Sequence, residues 1–377
     1  MRSDGPPRPS GLPPGLGEGP GEADSLLLLR CLLGITPLRL HALLWHEGSA
    51  GAARRAIQAG GAGSDADRAF LASADPTAIR ASLRDAGARF APPGHPDYWA
   101  AFLRLDDPPV GVFVRGRTVG LAEERVAVVG SRRPTAVGRR VAVDIGHGLA
   151  TAGIAVVSGA AVGVDAAAHR GALDAGGRTL AVLGAGIDVA YPAANRDLLA
   201  TIARRGTIVS EYPPGVPAEP HRFPARNRLI AALSRAVVVV EGTERSGTRI
   251  TAEHATELGL DVFAVPGSVA SPLSETPLAL LRDGATPIRG AEDLLHDLGR
   301  AGLALGPASP DLRGRERLIF DALRERMLPE ALAAAAGCNV PEAVATLISL
   351  EMRGLVRGVG GRFERAYVGT TADRPTE

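Results

Sequence analysis

Two groups of residues suited to holding an anion stand at opposite ends of one apolar run. The triplet Arg226-Asn227-Arg228 precedes Ala236–Val240, and the turn Ser246-Gly247-Thr248 follows it. A guanidinium is a planar fork of donors that matches phosphate geometry, and a side-chain amide adds more donors. A Ser-Gly-Thr turn at a helix start aims backbone N–H groups, and the positive end of the helix dipole, at an anion. Phe223 stands three residues before the triplet and Arg249 directly follows the turn. An aromatic ring beside cationic forks suits single-stranded nucleic acid, which needs a stacking surface together with backbone charge. The competing reading makes Phe223 part of a hydrophobic staple and leaves the arginines in water.

Two more glycine-rich turns repeat the pattern. Gly130-Ser131-Arg132 closes the run Val126–Gly130, and Thr135 and Gly138 open the helical stretch after it. Glycine lets a phosphate approach the backbone, and serine and arginine donate to it. A plain helix N-cap with a solvated arginine explains the same residues. Ser158-Gly159, Gly163 and Asp165 form the next turn, with His169 four residues after Asp165. That spacing suits an acid–base or metal pair, but without a third ligand a structural cap and a packed histidine are the better reading. Gly184-Ala185-Gly186 resembles a dinucleotide fingerprint, yet position 189 is Val and no helix start follows, so it speaks poorly for a nicotinamide cofactor.

The elements that must carry these turns alternate. Strand candidates are 126–130, 154–159, 179–186, 207–211, 236–242 and 261–267. Helical stretches at 137–152, 165–175, 194–204, 225–234, 251–259 and 276–283 separate them. Continuous β-branched runs indicate strands covered on both faces, and the order indicates an α/β, doubly wound core with ligands at the carboxyl edge of its sheet. The core is expected over 92–298, with a short strand in GVFVRG. Before it, 24–91 carries apolar residues at helical spacing and reads as a small helical domain, and 1–23 as a disordered Pro/Gly-rich arm. After it come a linker at 299–314, three short helices and a hairpin at 315–368 that suggest a winged helix, and a tail at 369–377. The expected recognition helix of that last domain offers two glutamates against Arg353, a composition for protein contact rather than duplex DNA.

Composition sets the outer bounds. A chain of 377 residues, 45% hydrophobic and 22% charged, fits a globular protein of two or three domains. No apolar run reaches the ~18 residues of a membrane span, and the leucine run near residue 26 lacks the form of a signal peptide. Only Cys31 and Cys338 are present, which argues against a disulfide framework or zinc site and points to a reducing cytoplasm. The formal net charge is +1, and all 42 basic residues are arginine. Genome composition accounts for the lack of lysine, and each cationic contact is a planar fork either way.

The chain resembles the DprA/Smf family, the bacterial DNA-processing proteins. The resemblance rests on GSRRPTAVG (130–138), SGAAVGVDAAAH (158–169), LAVLGAGIDVAYPAAN (180–195), SEYPPG (210–215), FPARNRLIAALS (223–234) and VVVVEGTERSGTRITA (237–252). It implies an extended Rossmann-like core flanked by a SAM-like helical domain and a winged helix. It further implies a protein without catalytic residue, metal or cofactor that binds and protects single-stranded DNA, forms a homodimer and helps load RecA recombinase in DNA uptake, natural transformation and recombination. The DNA-binding residues it implies are Gly130, Ser131, Arg132, Ser158, Gly159, Phe223, Arg226, Asn227, Arg228, Ser246, Gly247, Thr248 and Arg249. Departures occur at Val162, Arg249, Thr276 and Leu278, where the family pattern has Arg, Leu, Gly and Asn. An enzymatic alternative also fits, a nucleoside-monophosphate phosphoribohydrolase using Gly247, Thr248 and Glu253.

Overall fold

A computed structural model describes residues 11–19, 21–117, 123–244, 246–300, 312–323, 326–353 and 355–365. Five short helices come first: α1 (Glu22–Arg30), α2 (Pro37–Glu47), α3 (Ala50–Gln58), α4 (Asp65–Ser73) and α5 (Pro76–Asp85). Their starts are written in the sequence. Thr36, Ser49 and Asp75 cap α2, α3 and α5, Ser64 and Asp67 form a reciprocal capping box on α4, and proline opens α2 and α5. Within the expected disordered arm, residues 11–19 pack instead. The Gly11 carbonyl accepts from Trp45 Nε1 at 3.1 Å and lies against the His41 ring, and Leu16 is buried. The rest of that arm up to residue 10, most of the expected linker and the tail lie outside the described residues.

One nine-stranded sheet follows. Its strands are β1 (Ala88–Ala91), β2 (Val112–Gly116), β3 (Arg125–Val129), β4 (Ala155–Ser158), β5 (Thr179–Gly186), β6 (Thr207–Tyr212), β7 (Ala236–Val239), β8 (Asp261–Ala264) and β9 (Thr286–Pro287). Their order is β1-β2-β6-β5-β4-β3-β7-β8-β9. Strand β2 runs antiparallel to both of its neighbours, β1 and β6, and all other pairings in this sheet are parallel. The expected α/β core is therefore present, with β1 drawn from the end of the expected helical segment.

Between the strands run α6 (Ala136–Thr151), α7 (Val164–Asp174), α8 (Arg196–Arg205), α9 (Arg222–Ala232), α10 (Gly247–Glu257), α11 (Glu275–Arg282) and α12 (Ala291–Asp297). Alternation along each strand divides the core between two layers. Ala127, Val129, Val237 and Val239 pack with α9 and α10, while Val126, Val128, Ala236 and Val238 pack with α6, α7 and α12. The N-terminal helices share a third cluster with β2, β5, β6 and α8. Buried Arg30 ties them to the core by donating to the Glu211 carbonyl beside the Tyr212 ring. Burial pushes the Cys31 thiol up to about 11, far from reactivity at neutral pH.

A separate apolar cluster unites α13 (Gly314–Ala322), α14 (Pro329–Ala336), α15 (Val340–Met352) and the hairpin β10 (Val356–Val359) and β11 (Arg362–Arg365). Helices α14 and α15 meet at 104°, and Met327 bridges Phe363 beside the hairpin. Among the described residues no single helix is long and apolar enough to cross a membrane.

Candidate nucleic-acid interface

The chain reverses its direction of winding between β3 and β7. Strand β3 leads through α6 to β4 on one side, and β7 leads through α10 to β8 on the other. An open parallel sheet has its crevice at such a point, outside the carboxyl ends of the strands. Here it is an open pocket of about 630 Å³. The turns after β3 and β7, the loop after β5 and the start of α9 wall it.

Glycine brings these turns close. Gly163 has φ +90°, and a Cβ there would lie 2.3 Å from the Ser131 carbonyl oxygen, so only glycine lets the 158–165 turn rest on the 131–132 backbone. Val164 N–H donates to that same carbonyl at 3.1 Å. Ser131 Oγ accepts from Arg133 N–H at 3.0 Å, fixing the turn from which Arg132 projects. The exposed Arg132 guanidinium lies 5.2 Å from the Phe223 ring centroid. Tyr191 stacks on Phe223, centroids 5.4 Å apart and planes at 29°. A cation and two aromatic rings thus form one contiguous stacking surface at the pocket wall.

The predicted residues divide sharply by burial. Gly130, Ser131, Arg132, Phe223, Arg226, Asn227, Ser246, Gly247 and Thr248 all line the pocket. Arg226 nevertheless is not a free fork. It is 5% exposed and donates to the Gly159 carbonyl at 2.8 Å and to the Val182 carbonyl, binding the end of β4 to the middle of β5. Burial lowers its pKa to about 10, with Asp165 working against the shift, so it stays charged at neutral pH. Asn227 donates to the Gly247 carbonyl at 2.9 Å and positions the turn before α10.

Four of the predicted residues do not line the pocket. Arg228 is spent on carboxylates, with Glu211 at 2.8 and 3.0 Å and Asp107 at 3.1 Å. Burial pulls its pKa down, but those two carboxylates outweigh it and hold the group above its ordinary value. Ser158 is fully buried and donates to the Val128 carbonyl at 2.7 Å. Gly159 makes room instead of contact, since a Cβ would stand 2.4 Å from the Arg226 guanidinium. Arg249 pairs with Glu253 along the exposed side of α10 at 2.9 Å, and neither side chain lines the pocket.

The Asp165–His169 pair is structural, in line with the favoured reading. Asp165 accepts from Gly159 and Ala161 N–H groups at 3.1 and 3.3 Å, and burial raises its pKa against the pull of Arg226. His169 is fully buried, with Nδ1 2.6 Å from Thr179 Oγ1. That hydroxyl donates to the Val156 carbonyl, so Nδ1 carries the proton and donates to it. Burial, then Arg226 and Arg170, lowers the His169 pKa to about 3. The ring is neutral and serves packing.

Thr276, one of the departures, braces the turn after β7. Its hydroxyl donates to the Thr243 carbonyl at 2.6 Å and its N–H to the Gly242 carbonyl at 3.0 Å. Sequence reasoning missed Tyr191, Arg133, Pro220 and Leu273 as lining residues. Of these, only Tyr191 carried a signal, an aromatic residue in the loop leaving the carboxyl end of a strand.

Comparison with known proteins places this geometry. A family model described as DNA recombination-mediator protein A matches residues 89–299. A protein named as putative DNA processing protein DprA from Mycobacterium tuberculosis is 41% identical over 310 residues, 79% of this chain and 76% of its own length. Protein Smf of Escherichia coli is 37% identical over 279 residues, 71% of this chain and 75% of its own. The X-ray structure of DNA processing protein A from Streptococcus pneumoniae superposes with TM-score 0.59 and 32% identity, covering 73% of this chain and 97% of that one. The structure of DNA processing protein A from Helicobacter pylori, which has a single-stranded DNA binding mode, gives TM-score 0.51 and 31% identity over 54% of this chain and 93% of its own.

Proposed function

This chain belongs to the DNA recombination-mediator protein A family, and we propose that it binds single-stranded DNA in the pocket between β3 and β7. The observation that carries the reading is the Arg132–Phe223–Tyr191 surface. Unpaired bases offer faces to stack on such a surface, while duplex bases are already stacked on each other. Phosphates follow along the exposed forks of Arg132 and Arg133 and meet the N–H groups where α10 begins. No acid–base pair converges on the pocket among the described residues, so the role is to hold a strand and pass it on. The receiving partner is a RecA-type recombinase, the holder acts as a homodimer, and the setting is the cytoplasm during DNA uptake and recombination.

Under the same reading, 24–91 is a SAM-like packing module and 315–368 a winged helix. Helix α15 exposes Ile348 and Met352 where a major-groove reader needs cations or amides, and its neighbour Arg353 is paired with Glu316 at 2.6 Å. That supports contact with protein instead of duplex DNA.

A competition gel shift tests the main claim. Labelled oligo-dT should be displaced by unlabelled single strand at least about tenfold more readily than by duplex of equal length, as stacking of ~1–3 kcal/mol per base requires. Equal competition would place binding on general charge and remove the stacking surface from the account.

A further inference from the structure

Two helices follow the strands that flank the crevice, α6 after β3 and α10 after β7, and only the start of α10 opens into the pocket. At α10 the turn Ser246-Gly247-Thr248 lines the pocket. At α6 the start is already filled by a carboxylate of this chain. Thr135 donates its N–H to Glu241 Oε2 at 2.9 Å and its hydroxyl to Oε1 at 2.6 Å, and Gly138 N–H donates to Thr135 Oγ1 at 2.9 Å.

This is the pattern of a capping box with one part moved. In the usual box, a Glu or Gln at the third helical position reaches back to the N-cap N–H. Here that position is Gly138, and the carboxylate arrives from the end of β7. A Cβ on Gly138 would lie 2.4 Å from Glu241 Cδ and 2.5 and 2.6 Å from its oxygens. The glycine therefore leaves the space that the carboxylate takes. Among the described residues no arginine lies within ion-pair distance of Glu241, so the helix start is what balances its charge. The first βα turn of a sheet of this kind is where a nucleotide phosphate normally sits, against the same N–H groups and the same glycine gap.

We propose that Glu241 is an internal anion that keeps the phosphate seat of α6 closed, so that the crevice rejects free nucleotides and holds the Arg132 turn ready for a strand. This deepens the single-strand reading and rests on it for the word strand; the closed seat stands without it. Glu241 is a specificity and positioning residue.

The test titrates inorganic pyrophosphate into the full chain and its variants at constant ionic strength. Glu241→Ala should bind pyrophosphate at least tenfold more tightly than the native chain, and Glu241→Gln, which removes the charge but keeps the size, should also gain. Adding Gly138→Glu to Glu241→Ala restores a box within the helix and should close the seat again. A loss of packing alone predicts neither the anion-specific gain nor its reversal. Pyrophosphate affinity unchanged in both single variants overturns the proposal. Should a variant be unstable, pyrophosphate but not chloride should raise its melting temperature, and no such rise is equally fatal. Oligo-dT binding measured in parallel keeps the two ideas apart: its absence from the native chain sinks the strand reading and leaves the pyrophosphate comparison to decide the seat.

Discussion

Arg132 and Arg226 both line the pocket, yet burial gives them opposite work. Arg132 is exposed and touches Phe223; Arg226 is buried and holds the Gly159 and Val182 carbonyls. Arg132→Ala should therefore weaken oligo-dT binding about tenfold or more in a fluorescence titration while the melting temperature stays put. Arg226→Ala should instead show in thermal or urea unfolding, at a cost of about 2–4 kcal/mol, because it strands the Gly159 and Val182 carbonyls and leaves Asp165 without its cation. The reverse pattern would exchange the two roles. Tyr191, 43% exposed and stacked on Phe223, belongs with Arg132: Tyr191→Ala should lose ~1–3 kcal/mol of oligo-dT binding and Tyr191→Phe almost none. Sequence showed where these forks and rings stand along the chain. It could not separate Arg226 from Arg132, because what decides their exposure is Gly159, far away in the chain and adjacent only once β4 and α9 are packed.

Elements were easier to read than contacts, for a physical reason. Runs such as Ala236–Val240 announce a strand covered on both sides, and Thr135 or Ser64 announces a helix start; each signal is local. Strand β1 was missed because four residues at a sheet edge need only one partner and carry little pattern of their own. The closing of α6 by Glu241 was illegible for the same reason in reverse, since half of the capping box comes from another strand. Helix α7 supplies a test at this scale. Its His169 has a folded pKa of about 3 against an ordinary value of 6.5, with burial the main cause. The folded state thus refuses a proton that the unfolded chain accepts, so stability should fall as pH drops below 6.5, by about 1.4 kcal/mol per pH unit down to the folded value. Partly buried Asp144 acts oppositely: desolvation pushes its pKa up to about 6, and its retained proton adds stability as pH falls from there to its unfolded value. Comparing urea unfolding of the native chain with His169→Gln cancels the Asp144 part. The native chain should lose stability faster between pH 6 and 4, and parallel curves would show that His169 is protonated in the fold.

Over the whole molecule, charge is abundant and of both signs. The formal net charge is +1, and its arginines are widely paired: Arg80 with Asp24, Arg178 with Glu123, Arg235 and Arg300 with Glu124, Arg249 with Glu253, Arg289 with Asp293, Arg326 and Arg357 with Glu364. A polyanion approaching this surface meets both signs, and at the pocket it meets exposed Arg132 and Arg133 beside the start of α10. Binding by scattered surface charge and binding by this pocket predict different salt dependence. Each phosphate neutralised on a single strand contributes about −0.7 to the slope of log affinity against log salt. Two or three contacts at the pocket give a slope of about −1.4 to −2.1, and Arg132→Ala should make it shallower by about 0.7. Titrations of oligo-dT between low and moderate salt measure both numbers. A native slope steeper than about −4 would require more phosphate contacts than the pocket can supply, and would move the strand onto the arginines of the outer surface.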